Sequence, residues 1–505
     1  MNGIRLRHAG MAGLSGLMLT AGFSPVGMDW MAWISLIPLL ICLEDKSRSD
    51  AFKLGLLTGL FHYLSLIYWI VVVLHHYGNI PFILSLAALL LLSLYLALYI
   101  ALFALILIGF RQSRLSSFWG ASIWVSLEYA RANLLTGFPW CLLGYTQYSR
   151  LSLIQVSDIG GVYIISFVIV LVNLTVYHLL FNSKSKKSMA IETIFASLLI
   201  GFMLLYGYRN VKEKAYVNLN EKRIKVAIAQ GNIDQSLKWD REFQEKTLEI
   251  YEKLSEKSAG FKPQMIIWPE TAFPFFFQDK SGLSEKVYQI AKTANSYILF
   301  GSPAYEQGKD TILYFNRAYI VSGYGVVDYY DKVHLVPFGE YVPLKKYIPF
   351  VQRLVPAAGD FSPGCKIKPI DAQGFHAGIL ICFESIFPYI SRKHALEGAE
   401  LLVNLTNDAW FGRTSAPYQH LSMAVFRCVE NGLPMARAAN TGISAFILSS
   451  GKIIKKSGLF VEGMLQHEIK LKCNKTFYSQ FGDIFAIILM FTTILKLFLT
   501  QAIRR

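Results

Sequence analysis

Between Ile80 and Phe110 the chain runs for 31 residues without an Asp, Glu, Lys or Arg. A helix needs about 20 apolar residues to cross the hydrocarbon core of a bilayer, so this run alone argues for a membrane span. Further apolar runs cover Ala9 to Phe23, Met28 to Leu43, Leu54 to Leu74, Phe118 to Tyr129, Val162 to Phe181, Ile191 to Tyr206 and, near the other end, Ile484 to Thr500. The runs at Leu54, Ile80, Val162 and Ile191 are long enough to span, and those at Ala9, Met28 and Phe118 are short. Composition points the same way: 53% of the residues are hydrophobic and 16% charged, whereas soluble domains carry roughly a quarter charged. The expectation is a transmembrane domain of about seven helices over residues 1–210 and one more transmembrane helix at 484–500.

Loop charge predicts how those helices are oriented. Arg5 and Arg7, then Lys46, Arg48 and Lys53, then Arg111 and Arg114, then Lys184, Lys186 and Lys187 mark alternate ends of successive runs. Ser24 to Gly27 and His75 to Asn79 hold no Lys or Arg. Under the positive-inside rule the basic ends are cytoplasmic. Seven spans then deliver the chain after Tyr206 to the outside, and the last run brings Arg504 and Arg505 back in. Arg5 and Arg7 ahead of a short apolar core also suit a signal peptide, but no small-x-small cleavage pattern follows and the run is read as a span. The net charge of +15 belongs largely to these basic loops and to contact with anionic lipid. No Lys/Arg block interleaved with aromatics points to nucleic acid, which is not expected as a partner.

From 222 to 472 the sequence changes character. Charged residues become frequent, and strand-like runs at Ile224 to Ala229, Met265 to Ile267, Tyr297 to Phe300, Ala377 to Ile381 and Leu401 to Asn404 alternate with helical stretches such as Arg241 to Lys257. Alternation of this kind predicts one α/β layered domain with its site at strand ends. The six cysteines show no C-x-x-C spacing, which argues against a zinc site or a disulfide framework and leaves a Cys365–Cys473 pairing open. No metal or cofactor is expected.

Three stretches carry candidate chemistry. Gly378-Ile-Leu-Ile-Cys-Phe-Glu-Ser385 reads as a buried strand presenting Cys382 at the start of a helix running from Phe383 to Ala399, where the partial positive charge of a helix N-terminus would favour thiolate. Alone it reads as well as one more buried cysteine. Ile266-Ile-Trp-Pro-Glu-Thr271 puts Glu270 just past a strand, and Asp331-Lys-Val-His-Leu-Val-Pro-Phe-Gly-Glu340 puts Lys332 and Glu340 in a loop shaped by Gly and Pro. A strand-end glutamate is more often a cap, and a loop lysine is usually solvated. All three together, each at the end of a strand-like run, make a site.

In these stretches the chain resembles the carbon-nitrogen hydrolase (nitrilase) superfamily, whose triad is Glu, Lys and Cys in that order. Because spans flank the domain on both sides, it is similar in particular to the membrane-bound apolipoprotein N-acyltransferase family. The resemblance implies an αββα sandwich outside the membrane, with Glu270, Lys332 and Cys382 catalytic. Asn404-Leu-Thr-Asn-Asp-Ala-Trp-Phe-Gly412 and Arg437-Ala-Ala-Asn-Thr-Gly442 are also family-like. The residue after the nucleophile, often Tyr or Trp in the superfamily, is Phe383 here, an aromatic wall without a polar handle.

The resemblance further implies a phospholipid acyl donor, the N-terminal S-diacylglyceryl cysteine of an apolipoprotein as acceptor, and a location in the bacterial inner membrane with the catalytic domain in the periplasm, as a monomer. Making an amide from an ester without ATP needs the acyl group kept activated, which a thioester on Cys382 does. Glu270 would be the general base, and Lys332 with the backbone N–H of Phe383 the oxyanion donors. Glu340 and Glu384 read as carboxylates that orient Lys332 or the amine, or equally as surface salt-bridge partners. Phe273-Pro-Phe-Phe-Phe277, the stretch Pro343 to Pro356 with Phe350 and Leu354, and Trp239 read as a mobile lipid-facing cover, with core packing as the alternative for the phenylalanine run. Glu128 and Arg131 read as a pair bracing the fifth span against the loop near Gly137 to Trp140. Two other functions stay open: a membrane-anchored amidase passing the acyl group to water, and a transporter, for which the spans carry few ionisable residues.

Overall fold

The computed structural model describes residues 6–111, 113–181, 185–215, 222–235, 241–279, 282–309, 311–342, 360–372, 374–472 and 475–504. They fall into two compact units, one of Met1–Val71, Pro81–Lys214 and Phe481–Arg505, the other of Val72–Ile80 with Ala215–Gln480.

The first unit is helical. Phe82–Phe110, Ser157–Phe181 and Lys186–Glu213 are each long and apolar enough to cross a membrane, and Arg48–Leu66 with Trp69–Tyr77 makes a fourth if that pair, bent by 48°, is one span. The run from Met28 to Leu43, expected as one span, is a 3-10 turn at Asp29–Trp33 followed by a short helix at Ile37–Leu43. The break persists because Asn173 serves it: its amide Nδ2 donates to the carbonyl of Ala32 and its Oδ1 accepts the N–H of Leu36, both at 2.9 Å. In an apolar surrounding a helix can open only where another side chain takes over the freed backbone groups.

Helices pack closest where the sequence is smallest. Gly55 and Gly59, four apart on one helix, face Ala97, Ile100 and Ala101 of the next so closely that a Cβ on Gly59 would stand 2.6 Å from the Cα of Ala97. This is the small-xxx-small mode of membrane helix packing. Glu128 and Arg131 both brace the bundle but through different partners. Glu128 accepts the N–H of Leu143 at 2.7 Å, and Arg131 donates to the Tyr63 hydroxyl at 2.8 Å.

The second unit is built on two six-stranded sheets. The first contains β1 (Arg223–Gln230), β2 (Met265–Ile267), β3 (Tyr297–Gln307), β4 (Ile312–Ser322) and β5 (Gly325–Asp331). The second contains β6 (Ile370–Asp371), β7 (His376–Ile381), β8 (Leu401–Thr406), β9 (Met435–Ala439), β10 (Ala445–Ile447) and β11 (Ile453–Lys456). The last strand, β12 (Gly463–Lys470), returns to pair antiparallel with β1. Alternation along β1 sorts its side chains by face. Ile224, Val226 and Ile228 join the core shared with Ile379, Ile381, Val403 and Leu405 of the other sheet. Ala227 and Ala229 instead join a second core with Leu248, Tyr251 and Val287 from helices Arg241–Lys257 and Gly282–Ala294. On the other side Pro388–Leu396 packs on β7, and Ala416–Asn431 packs on that helix and on the turn after β7. The result is an αββα sandwich.

Parts of the expected cover belong to this sandwich. Phe273 and Phe277 are core residues, 1% and 2% exposed, while Phe275 is only partly buried. Trp239, Phe350 and Leu354 lie outside the described residues, as does Cys473; the five described cysteines, Cys365 among them, form no disulfide with one another.

Candidate active site

The chain carries Glu270, Lys332 and Cys382 to the ends of β2, β5 and β7, where each strand gives way to a turn. Glu270 follows Trp268-Pro269, and the next residue, Thr271, takes a left-handed conformation with φ of 50°. Gly301 on β3 lies against this turn so tightly that a Cβ there would approach the Cα of Glu270 to 2.8 Å. Lys332 follows Asp331, which is locked to Arg317 by a two-pronged ion pair at 2.6 and 2.8 Å. Cys382 itself has φ of 50° and opens a 3-10 turn, Cys382–Ile386.

The ammonium of Lys332, 1% exposed, stands 2.9 Å from Glu340 Oε1 and 3.7 Å from Glu270 Oε1. Asn316 on β4 ties the two carboxylates together, its Nδ2 donating to Glu270 Oε1 and to Glu340 Oε1, both at 2.8 Å. The other oxygen of Glu270 accepts the backbone N–H of Asn407 at 3.0 Å, and that of Glu340 accepts the N–H of Val336 at 2.8 Å. Burial works against charge on Lys332, but Glu340 and then Glu270 overcome it and hold the ammonium well above the usual lysine range. Lys332 is therefore a fixed cation rather than a base.

Cys382 differs from its expected state. The long helix Phe383 to Ala399 is instead a five-residue 3-10 turn and a separate helix, Pro388–Leu396. Burial pushes the thiol up, the charge of Glu270 pushes it further, and Lys332 only partly opposes them. The resting group is a thiol, so a base must take its proton as it reacts.

Glu384 and Glu340 are not surface salt bridges. Glu384 is 0% exposed. It accepts the N–H groups of Val333 at 2.7 Å, His334 at 3.2 Å and Ile381 at 2.8 Å, and the Tyr330 hydroxyl at 3.1 Å. One carboxyl thus clamps the loop after Lys332 to the turn before Cys382, and burial raises it to about 7 despite those bonds. Phe383 forms an aromatic wall with Phe387, ring centroids 5.2 Å apart, and His334 stacks on Phe387 at 3.7 Å.

Behind the nucleophile lies a polar cluster for which the sequence reading assigned no role. His420 Nε2 is 3.2 Å from the Cys382 carbonyl and 2.7 Å from Ser385 Oγ, while its Nδ1 is 3.1 Å from Asp408. Arg437 bonds Asp408 Oδ2 at 2.8 Å and also Asn404 on β8. Burial works against the Asp408 charge, yet Arg437 and His420 hold its carboxyl down at about 2. Asn404, Asp408 and Arg437 stand in the two family-like runs, which were the available signal. Asn316 and His420 stand in no motif.

Comparison with known proteins places this geometry in a family. The family model for the apolipoprotein N-acyltransferase N-terminal domain matches residues 15–175, and that for carbon-nitrogen hydrolase matches residues 225–475. A relative in Geobacter metallireducens named apolipoprotein N-acyltransferase is 44% identical over 484 residues, spanning 94% of this chain and 92% of its own. The chain belongs to the apolipoprotein N-acyltransferase family. Members so named in Pasteurella multocida and Haemophilus influenzae are each 32% identical, covering 93% and 95% of this chain and 91% and 92% of their own. A solved amidase of the nitrilase superfamily from Nesterenkonia AN1 is 20% identical over 53% of this chain and 96% of its own, with a TM-score of 0.38. As an apolipoprotein N-acyltransferase family member the protein is an enzyme.

The charges around the thiol give a sign-specific prediction. Alkylation of Cys382 by iodoacetamide, followed at the peptide level without lipid, should accelerate as pH rises into the alkaline range. Glu270→Gln removes a charge that disfavours thiolate and should shift that profile to lower pH, while Lys332→Gln should shift it higher. Shifts in the opposite senses would contradict the electrostatic account.

Proposed function

We propose that this protein moves an acyl chain from a phospholipid to the N-terminal amine of a diacylglyceryl cysteine on an apolipoprotein, by way of a thioester on Cys382. The observation that carries the reading is a strand-end thiol that feels the Glu270 carboxylate and the fixed ammonium of Lys332, in a chain whose other unit contains apolar helices of membrane-spanning length. Glu270 takes the thiol proton as sulfur attacks the ester carbonyl. The tetrahedral oxyanion is met by Lys332 and the N–H of Phe383, donors that together contribute several kcal/mol in a dry site. The carbon–oxygen bond breaks, and the lysophospholipid alkoxide leaves with the proton from Glu270. The amine of the lipoprotein then attacks the thioester and gives up a proton to Glu270, and the thiol is restored as the amide departs.

Glu340 and Asn316 support the two catalytic charges, and Glu384 supports the loops that bear Lys332 and Cys382. Trp239, Phe350 and Leu354 are proposed to contact lipid at a cover that opens for donor and acceptor in turn. All three reacting groups come from one chain, which supports a monomer. The loop charges support an inner-membrane protein with the second unit in the periplasm.

Intact-mass measurement tests the reaction. With phospholipid alone the protein should gain the mass of one acyl chain, Cys382→Ala should gain none, and a diacylglyceryl-cysteine peptide should discharge the adduct as an amide. Free fatty acid as the sole product would instead make the protein a hydrolase. For orientation, a membrane-impermeant maleimide should reach an engineered Lys309→Cys on intact spheroplasts and spare Lys186→Cys, and the reverse pattern would invert the topology.

A further inference from the structure

The helical unit holds a cavity of about 190 Å³ that none of the chemistry above uses. It lies where the ends of four segments meet: the close of Ile37–Leu43, the close of the helix at Phe82–Leu107, the start of Ser116–Asn133 and the last turns of Ser157–Phe181. These are the ends flanked by Lys46, Arg48 and Arg114, which the charge pattern assigns to the cytoplasm. Leucines such as Leu174 form its apolar wall. The polar groups are Arg111, Ser116, Tyr177 and His178, together with the exposed Glu44 and Asp45.

Arg111 is the informative residue. Its Nη2 atom is buried and has no hydrogen-bond partner among the described residues. A buried guanidinium N–H needs an acceptor, and Arg111 lines the cavity. Ser116 and His178, joined Oγ to Nε2 at 2.9 Å, add further polar groups to the lining. An arginine alone at a membrane-helix end would draw any anionic lipid. Here Glu44 and Asp45 also stand within electrostatic reach of Arg111, so a headgroup that carries an ammonium beside its phosphate meets a partner for each charge, which one carrying the phosphate alone does not. A volume below the roughly 300–1,000 Å³ of drug-sized ligand sites holds a headgroup and leaves the acyl chains in the bilayer.

We propose that this cavity binds the phosphoethanolamine headgroup of a bilayer lipid, the phosphate on Arg111 and the ammonium facing Glu44 and Asp45. It is a binding site separate from that of the acyl donor. The bound lipid would fasten the ends of four helices whose own side chains leave the space open, and it takes no part in a reaction.

Native mass spectrometry of the full chain carrying Cys382→Ala, which removes acyl transfer, tests the site with dioleoyl phosphatidylethanolamine, dioleoyl phosphatidylglycerol and inorganic phosphate as separate probes. The parent should retain one more phosphatidylethanolamine than phosphatidylglycerol per chain, and millimolar phosphate should not displace it. Adding Arg111→Gln should weaken that retention at least about tenfold, and adding Glu44→Gln with Asp45→Asn should remove the preference for phosphatidylethanolamine. Equal retention of both lipids by the parent, a reading that does not depend on any cavity variant folding, would overturn the proposal. So would unchanged retention in Arg111→Gln, and displacement by phosphate alone would reduce the site to one for a free anion. Because every arm lacks the nucleophile, failure here leaves the acyl-transfer reading standing.

Discussion

The catalytic unit depends on one buried charge. Lys332 is an ammonium almost without solvent, and an unpartnered charge in such a place costs several kcal/mol or loses its proton. Two carboxylates, Glu340 and Glu270, keep it charged, and their own burial then has to be answered. Asn316 answers for both on one side, and the backbone N–H groups of Val336 and Asn407 answer on the other. The donors come from β4 and from the loops after β5 and β8, so fixing one cation fixes three segments of both sheets. Removing one partner of a buried ion pair typically costs about 3–5 kcal/mol, which makes the network a condition of the fold as well as of the chemistry.

A second set of constraints sets the nucleophile. Cys382 sits in a left-handed conformation, strained for a residue with a side chain and tolerated only where its surroundings over-determine it. Glu384 holds the strand before it to the loop after Lys332, and His420, backed by Asp408 and Arg437, meets its carbonyl. The thiol is consequently positioned but not ionised. Such a cysteine does not react with every electrophile that passes, which suits an enzyme that must hold an acyl group until an amine arrives.

How much of this was legible depended on whether a residue's signal was local. Glu270 and Cys382 each follow an apolar run, and Lys332 stands with Glu340 in a loop shaped by Gly and Pro, so the three stretches together marked a site before any resemblance was invoked. The long spans declared themselves by length and lack of charge. Asn316 did not, because an amide inside a strand looks like any polar residue on a half-buried face until the partner loops are folded against it. His420 is one histidine among ten, and its meaning lies in a carbonyl 38 positions away. The break in the Met28 to Leu43 run was invisible for the same reason, since Asn173, more than 130 residues on, makes it affordable. The phenylalanine run misled because aromatic density marks cores and membrane contacts alike, and Phe273 and Phe277 proved to be core. The thiol's ionisation was misjudged because a helix dipole was assumed where only one short 3-10 turn exists and where a neighbouring carboxylate weighs more.

The central claim is that Lys332, fixed by its carboxylates, faces the carbonyl oxygen of an acyl group carried on Cys382. A structure of the acyl-enzyme, formed with phospholipid in the absence of acceptor, measures this directly. The account predicts the thioester oxygen within hydrogen-bond distance of the Lys332 Nζ, about 2.7–3.2 Å, with the Glu340 contact intact. An oxygen turned away from Lys332, or a lysine that has left Glu340 to reach it, would contradict the account.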